Sequence, residues 1–413
     1  MSGLERWITR EWDHAAAMML KSISPVGIVK ERPRFGQVVV PKPGSVVASP
    51  VLASYDPDPD YFFHWYRDSA LVMDALRLLR NDLPEADTLF QDFVRFSLGL
   101  QALDGRTLPP GWRDRAEPDF VRFLRTNAAE AHGPAIPAET RVNPDGTLDI
   151  TDWPRPQNDG PALRALCVLR WGAEGEAAEL VRRDLAFVLR HAGEPCFDIW
   201  EEEAGLHAYT LRVSAAALQA GADWLEARGD AATANLCRRE AGILETRLDD
   251  FWMEEEAHLR SRFVPGGAPE KLLDMSVILA ANHARVLGPR YRRTLARLER
   301  LFDAAYAINR ERPSSRAPAL GRYQGDVYYS GGAYYFSTLG AAEFCYRDGD
   351  IEKGDAYLET VRAFTPESGD LSEQFDQNDG AQTSARHLGW SYAAFLTAVA
   401  ARRAVRGQPL EKV

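Results

Sequence analysis

About twelve stretches of the 413-residue chain carry apolar residues at three- and four-residue spacing, and almost no alternating stretch lies between them. The first runs through Leu4, Trp7, Ile8, Trp12, Ala15 and Met19. Others fall near 67–81, 84–102, 158–171, 176–191, 208–228, 230–252, 270–285, 292–310, 331–347, 351–364 and 382–405. An amphipathic helix must cover its apolar stripe, and in an all-α chain only another helix can do so. Twelve helices in pairs can close into a double ring of six inner and six outer helices. An open solenoid is the competing layout, but no repeat of 34 to 47 residues recurs. The periodicity therefore predicts an all-α chain of about twelve helices, for which a closed double ring is the better-supported layout.

Two segments break the helical pattern. Residues 24–60 are rich in proline and short β-branched runs, which predicts turns and a short hairpin. Residues 103–157 form a long polar excursion containing ETRVNPDGTLDI, a second hairpin signal. A loop of this length in a compact protein is usually functional or disordered, and its aromatics favour function. NDGPALRALCVLRW then opens a helix, with Asp159 as candidate cap and Pro161 in the first turn.

Charge and cysteine usage narrow the function classes. The net charge is −11, from 60 acidic and 49 basic residues, with no basic cluster. Nucleic acid and anionic membranes are poor partners for such a chain. Cys167, Cys196, Cys237 and Cys345 are widely separated, and there is no CxxC, no HExxH and no tight His/Cys cluster. Neither a disulfide framework, a metal site nor a cofactor is expected. The N-terminus lacks the basic-then-apolar pattern of a secretory signal, and no apolar run approaches the ~20 residues of a membrane span. The expectation is a cytoplasmic protein.

Four loops share a composition that scaffolds rarely need: DYFFHWYRDS (60–69), ITDWPRPQNDG (150–160), GRYQGDVYYSGG (321–332) and SGDLSEQFDQNDG (368–380). Each precedes a predicted helix. Asp accepts from vicinal hydroxyls, Arg donates, and an aromatic face stacks on a sugar ring. Turn and cap chemistry explains any one loop equally well. Four together point to a polyhydroxylated ligand.

Two glutamate triplets follow a tryptophan, in FDIWEEEAG (197–205) and DDFWMEEEAHLR (249–260). The second ends a predicted helix, and Glu254–Glu256 are assigned to a solvated surface. The first follows the helix-breaking HAGEP and precedes the helical run from Tyr209, which puts 198–203 in a loop or first turn.

These blocks resemble the catalytic domain of glycoside hydrolase family 15, the glucoamylases. The resemblance rests on YFFHWYRDSA, WPRPQNDGPALRA, FDIWEEEAG, GRYQGDVYYSGG and LSEQFDQNDGAQTSARHLGWSYAAF, in the family's order over residues 60–395. It implies an (α/α)6 barrel and an inverting exo-glycosidase, with Glu201 as general acid and Glu373 as general base. Inversion expects the two carboxyls roughly 6.5–9.5 Å apart, with room for water. By the same matching, Arg67, Asp68 and Arg322 grip the terminal sugar. Tyr61, Trp65, Trp153 and Trp390 wall the pocket. Asp198, Ile199, Trp200 and Glu202 line the sugar sites, and Tyr328 lies near the acid.

The chain departs from the family pattern at His64, Tyr66 and Glu203–His207, the last on the leaving-group side. A single catalytic domain, 1–413, is expected, with neither the N-terminal β-sandwich of many bacterial relatives nor a starch-binding domain. The expected substrate is a short α-gluco-oligosaccharide, with α-1,4, α-1,6 and trehalose linkages all open. A phosphorylase and a non-catalytic sugar-binding barrel are the alternatives. Glu373 argues against the first, and two idle carboxylates against the second.

Overall fold

The computed structural model describes residues 2–54 and 58–407. Among these residues twelve α-helices occur: α1 Gly3–Leu20, α2 Tyr66–Leu76, α3 Ala86–Gly99, α4 Asp159–Trp171, α5 Glu176–His191, α6 Ala208–Glu226, α7 Ala231–Asp249, α8 Ser276–Ala284, α9 Pro289–Ala305, α10 Tyr335–Arg347, α11 Ile351–Phe364 and α12 Gly389–Val405. The even-numbered helices pack in sequence, α2 on α4, α4 on α6, α6 on α8, α8 on α10 and α10 on α12, and α12 returns to α2. The odd-numbered helices lie outside: α1 against α12, α5 against α4, α7 against α6, α9 against α8 and α11 against α10, with α3 beside α5. This is an (α/α)6 barrel.

The two rings differ in pattern for a physical reason. Inner helices have neighbours on every side, so α4 buries Asp159 through Val168 without interruption. Outer helices have one dry face. In α9 only Thr294, Leu295, Leu298 and Phe302 are buried, at helical spacing. Close approach in the inner ring uses glycine: a Cβ on Gly340 would meet Leu279 of α8 at 2.6 Å.

Short strands connect the helices: β1 Lys30–Arg32, β2 Gln37–Val39, β3 His64–Trp65, β4 Arg141–Val142, β5 Cys196–Phe197, β6 Ala204–His207, β7 Trp252–Met253, β8 His258–Leu259, β9 Arg262–Phe263, β10 Ala333–Tyr334, β11 Ser372–Phe375 and β12 Gln382–Arg386. β1 and β2 form the hairpin expected in 24–60. In the excursion only Arg141–Val142 is strand, paired with β3, and much of the rest is 3-10 turn.

Three helical readings change. The run at 382–405 is helix only from Gly389, because Gln382–Arg386 is pulled into a sheet by β11. The run at 331–347 starts with β10, and α10 begins at Tyr335. Of 270–285 only Ser276–Ala284 is α-helix. Glu254–Glu256 are exposed as expected, but in the turn between β7 and β8 rather than at a helix end.

A buried ion pair fastens α4 to α5. Arg164 donates from Nε and a terminal nitrogen to both oxygens of Asp184, at 2.9 and 2.6 Å. Both side chains are almost fully removed from water. Removing one partner leaves the other charge buried and unpaired. Asp184→Ala is expected to lower the unfolding free energy by about 3–5 kcal/mol in urea titrations. A loss below about 1 kcal/mol would contradict this role.

Candidate active site

The segments that precede or begin the inner helices converge at one end of the barrel. There they enclose a cavity of about 240 Å3. Tyr61, Trp65, Arg67, Asp68, Trp153, Ile199, Trp200, Glu201, Glu202, Arg322, Tyr328, Glu373 and Trp390 all line it. Of the residues singled out from sequence, Asp198 alone does not. Its carboxylate Oδ1 accepts the backbone N–H groups of Glu202 and Glu203, at 2.8 and 3.0 Å. It holds the turn that presents its neighbours, and does not line the cavity.

That turn explains how two adjacent glutamates share one cavity. β5 and β6 pair Phe197 with Ala204, so 198–203 is a tight connection. Glu201 sits at φ 66°, a left-handed conformation costly for a side chain with a Cβ. The Glu201 carboxylate accepts from Trp65 Nε1 and from Arg67, both at 2.8 Å, and from Trp153 Nε1. Glu202 Oε1 accepts from Arg322 at 2.9 Å, and its Oε2 from Tyr323 at 2.5 Å and Lys271 at 2.6 Å. Burial alone would push the Glu202 carboxyl up, but Arg322, Lys271 and Tyr323 outweigh it and hold it below the ordinary range. Glu203 turns aside toward Arg262 and Lys271.

Glu373 comes from β11, in a sheet with β10 and β12. It is 8% exposed. Ser384 of β12 donates to its Oε2, and Tyr61 Oη lies 3.5 Å from its Oε1. Burial drives its carboxyl up to about 7, with Ser384 and Arg322 opposing. Glu201 and Glu373 are bridged by aromatic packing: Trp65 on the first meets Tyr61 beside the second, with ring centroids 5.2 Å apart. Tyr61 also shares a 2.8 Å hydroxyl hydrogen bond with Tyr328.

Arg67 and Asp68 lie at the start of α2. Arg67 donates to Gln157 at 3.0 Å as well as to Glu201. Asp68 is buried, and its Oδ2 has no hydrogen-bond partner. Burial raises its carboxyl to about 6, against the pull of Arg67. An acceptor of this kind suits a sugar hydroxyl. Arg322 is aimed by a two-point pair to Asp326, at 2.6 and 2.5 Å. The floor is a face-to-face stack of Phe336 on Trp390, 4.1 Å apart and within 3° of parallel.

Sequence reasoning missed several members. Tyr334 and Phe336 line the cavity but lay inside an apparently continuous helical run. Ala48, Pro154 and Leu388 are further lining residues without a distinctive motif. Gln157 stood in the quoted WPRPQNDG block. Ser384 reaches Glu373 only through sheet pairing, which no local pattern signals. Asp159, read as a cap, is the first residue of α4 and lies 3.6 Å from Arg67, so its carboxylate balances that cation instead.

A closed double ring of helices with a dead-end, carboxylate- and aromatic-lined chamber at one end defines the protein as a glycoside hydrolase of the (α/α)6 class. The chain belongs to glycosyl hydrolases family 15, whose pattern it matches over residues 34–98, 138–354 and 349–400. It is 26% identical to Glucoamylase 1 of Rhizopus oryzae, over 96% of this chain and 71% of that protein. It is 27% identical to the Probable glucoamylase of Schizosaccharomyces pombe, over 98% and 93% respectively. The fold matches the family 15 glucoamylase of Hypocrea jecorina with TM-score 0.81 at 24% identity, over 98% of this chain and 73% of that one. No helix among the described residues is long and apolar enough to cross a membrane.

The raised carboxyl of Glu373 has a stability consequence. Between about pH 4.5 and 7 the folded protein keeps a proton that the unfolded chain releases, so stability falls as pH rises through this window. Glu373→Gln removes that cost. It is expected to stabilise the protein by up to about 3 kcal/mol at pH 8 and by little at pH 4.5, in denaturant titrations at both pH values. Equal effects at both would contradict a buried, proton-holding Glu373.

Proposed function

We propose that the protein is an inverting, exo-acting α-glucosidase, releasing β-glucose from the non-reducing ends of short α-gluco-oligosaccharides. The observation that carries this is the pair Glu201 and Glu373 on the wall of one chamber closed by the Phe336–Trp390 floor. The chamber is smaller than the roughly 300–1,000 Å3 of drug-sized sites, which suits one terminal ring and not a chain passing through. The described residues act as one catalytic unit needing no cofactor. Four buried, unpaired cysteines fit a reducing, cytoplasmic setting.

In this reading Glu201 is the general acid. Two indoles and Arg67 fix its carboxyl in one rotamer. It protonates the leaving oxygen as the C–O bond breaks. Glu373 is the general base, removing a proton from the water that attacks the anomeric carbon on the other face. Arg67, Asp68 and Arg322 hold the ring's hydroxyls. Glu202, with Arg322, Tyr323 and Lys271, meets the leaving sugar. Glu201→Gln and Glu373→Gln are each expected to lower kcat by about 10²–10⁴ with the helical circular dichroism unchanged. The first product by proton NMR is β-glucose; α-glucose would overturn inversion. Maltose, isomaltose, trehalose and maltoheptaose assayed side by side give the linkage.

One observation favours exchanged roles. Burial raises the Glu373 carboxyl, as suits a proton donor, whereas both Glu201 oxygens already accept N–H donors. α-Glucosyl fluoride separates the two, because fluoride leaves with little help from an acid. Glu201→Gln keeps activity on it if Glu201 is the acid, and Glu373→Gln does so if the roles are exchanged. Ser384→Ala gives a second readout. Losing its hydrogen bond raises the Glu373 carboxyl further. If Glu373 is the base, the acidic limb of kcat/KM moves to higher pH.

A further inference from the structure

Below the Phe336–Trp390 floor the barrel axis opens again. A second cavity of about 400 Å3 runs along α2, α8, α10 and α12 toward their C-terminal ends, and the same two rings form its roof. Arg77, Arg170, Arg285 and Arg347 stand around it with Asp74 and Glu343. Four guanidiniums against two carboxyls leave a local positive excess, in a chain whose net charge is −11. A concave, locally cationic site concentrates anions.

Helix-end chemistry explains three of the arginines. Arg170 and Arg347 donate to the carbonyls of His283 and Asn282 at the end of α8, at 2.6 and 2.7 Å. Arg77 and Arg170 bracket Asp74, at 3.2 and 2.5 Å. Arg285 is different. It caps α8 at φ 56°, a left-handed seat usually held by glycine. The residue is exposed, yet desolvation by the atoms packed around it and the nearby Arg170, Arg77 and Arg347 push its guanidinium down to about 10, with Asp74 opposing. No carboxylate among the described residues pairs with it at ion-pair distance. A strained backbone that holds a crowded cation points to a use for the side chain. Asn282, 3% exposed, donates to Gly340 O at 2.7 Å, and its Oδ1 has no donor.

We propose that this lower chamber binds a small hydroxylated oxyanion of the sugar-phosphate class. The phosphate lies on Arg285 and its arginine neighbours, and a ligand hydroxyl donates to Asn282 Oδ1. The volume falls in the range of small-molecule sites. The proposal is independent of the reaction assigned to the upper chamber.

The test is calorimetric titration of the whole protein with glucose 6-phosphate, inorganic phosphate and glucose at constant ionic strength. Arg285→Gly removes the cation and relaxes the left-handed backbone, so it is expected to fold at least as well as the parent. Arg285→Lys keeps the charge. The expected result is glucose 6-phosphate binding that weakens at least tenfold in Arg285→Gly and is largely kept in Arg285→Lys. Any weak glucose binding in the upper chamber stays unchanged in both variants. Thermal melts should show a ligand-induced rise of roughly 2–4 °C in the parent and none in Arg285→Gly. No heat with glucose 6-phosphate, or an equal Kd in the parent and Arg285→Gly, would overturn the site. Equal affinity for inorganic phosphate and glucose 6-phosphate would overturn its assignment to a sugar phosphate.

Discussion

The guanidinium of Arg67 ties together the end of the barrel that holds the Glu201–Glu373 cavity. It rises from the first turn of α2 and donates to Gln157 of the segment before α4 and to Glu201 of the turn before α6. Asp68 and Asp159 lie within 3.6 Å of its nitrogens, and Trp390 of α12 sits beneath it. One buried cation thus sets the spacing of four inner-ring segments. A charge this deep is tolerable only because carboxylates and an amide surround it. The carboxylates it requires are those a sugar site can use.

The barrel makes such a site possible. Six inner helices wrapped by outer ones bury their apolar faces against one another, so the segments at their N-terminal ends are free to carry polar chemistry. The stacked Phe336–Trp390 pair closes the axis and separates an acidic upper chamber from a cationic lower one. Opposite local charge at the two ends of one axis follows from which residues end and begin the helices. Closing that axis with rings rather than a polar plug keeps the chambers distinct.

The helical layout was readable because burial repeats every three or four residues in outer helices such as α9 and runs on for more than two turns in inner ones such as α4, and the two Glu triplets were separable by their flanks. The expected use of Asp198 was not what the fold shows. Its partners are backbone N–H groups four and five residues on, a turn role that its place beside Trp200 did not advertise. Gln382–Arg386 read as helix because Gln, Thr, Ser, Ala and Arg tolerate either state, and pairing with β11 decided it. Tyr334 hid in the run that ends in α10 because pairing of β10 with β11 decided its state, and Phe336, in the first turn of α10, read as ordinary helix core. Ser384 could not be found at all, since its partner Glu373 is brought beside it only by the sheet.

By itself the sequence determined the helix periodicity, the all-α class and the residue types able to handle a sugar, because these depend on local spacing and side-chain chemistry, whereas closure of the ring rests on the packing of α12 on α2. Tertiary structure alone decided which carboxyl is desolvated, which arginine lacks a counter-charge and which ring floors each chamber. Those properties depend on what surrounds a group in space, and residues hundreds of positions apart supply the surroundings. Glu201 and Glu202 are neighbours in the chain, yet two indoles flank the first while Arg322, Tyr323 and Lys271 flank the second. The turn at φ 66° that separates their surroundings is a property of the folded barrel.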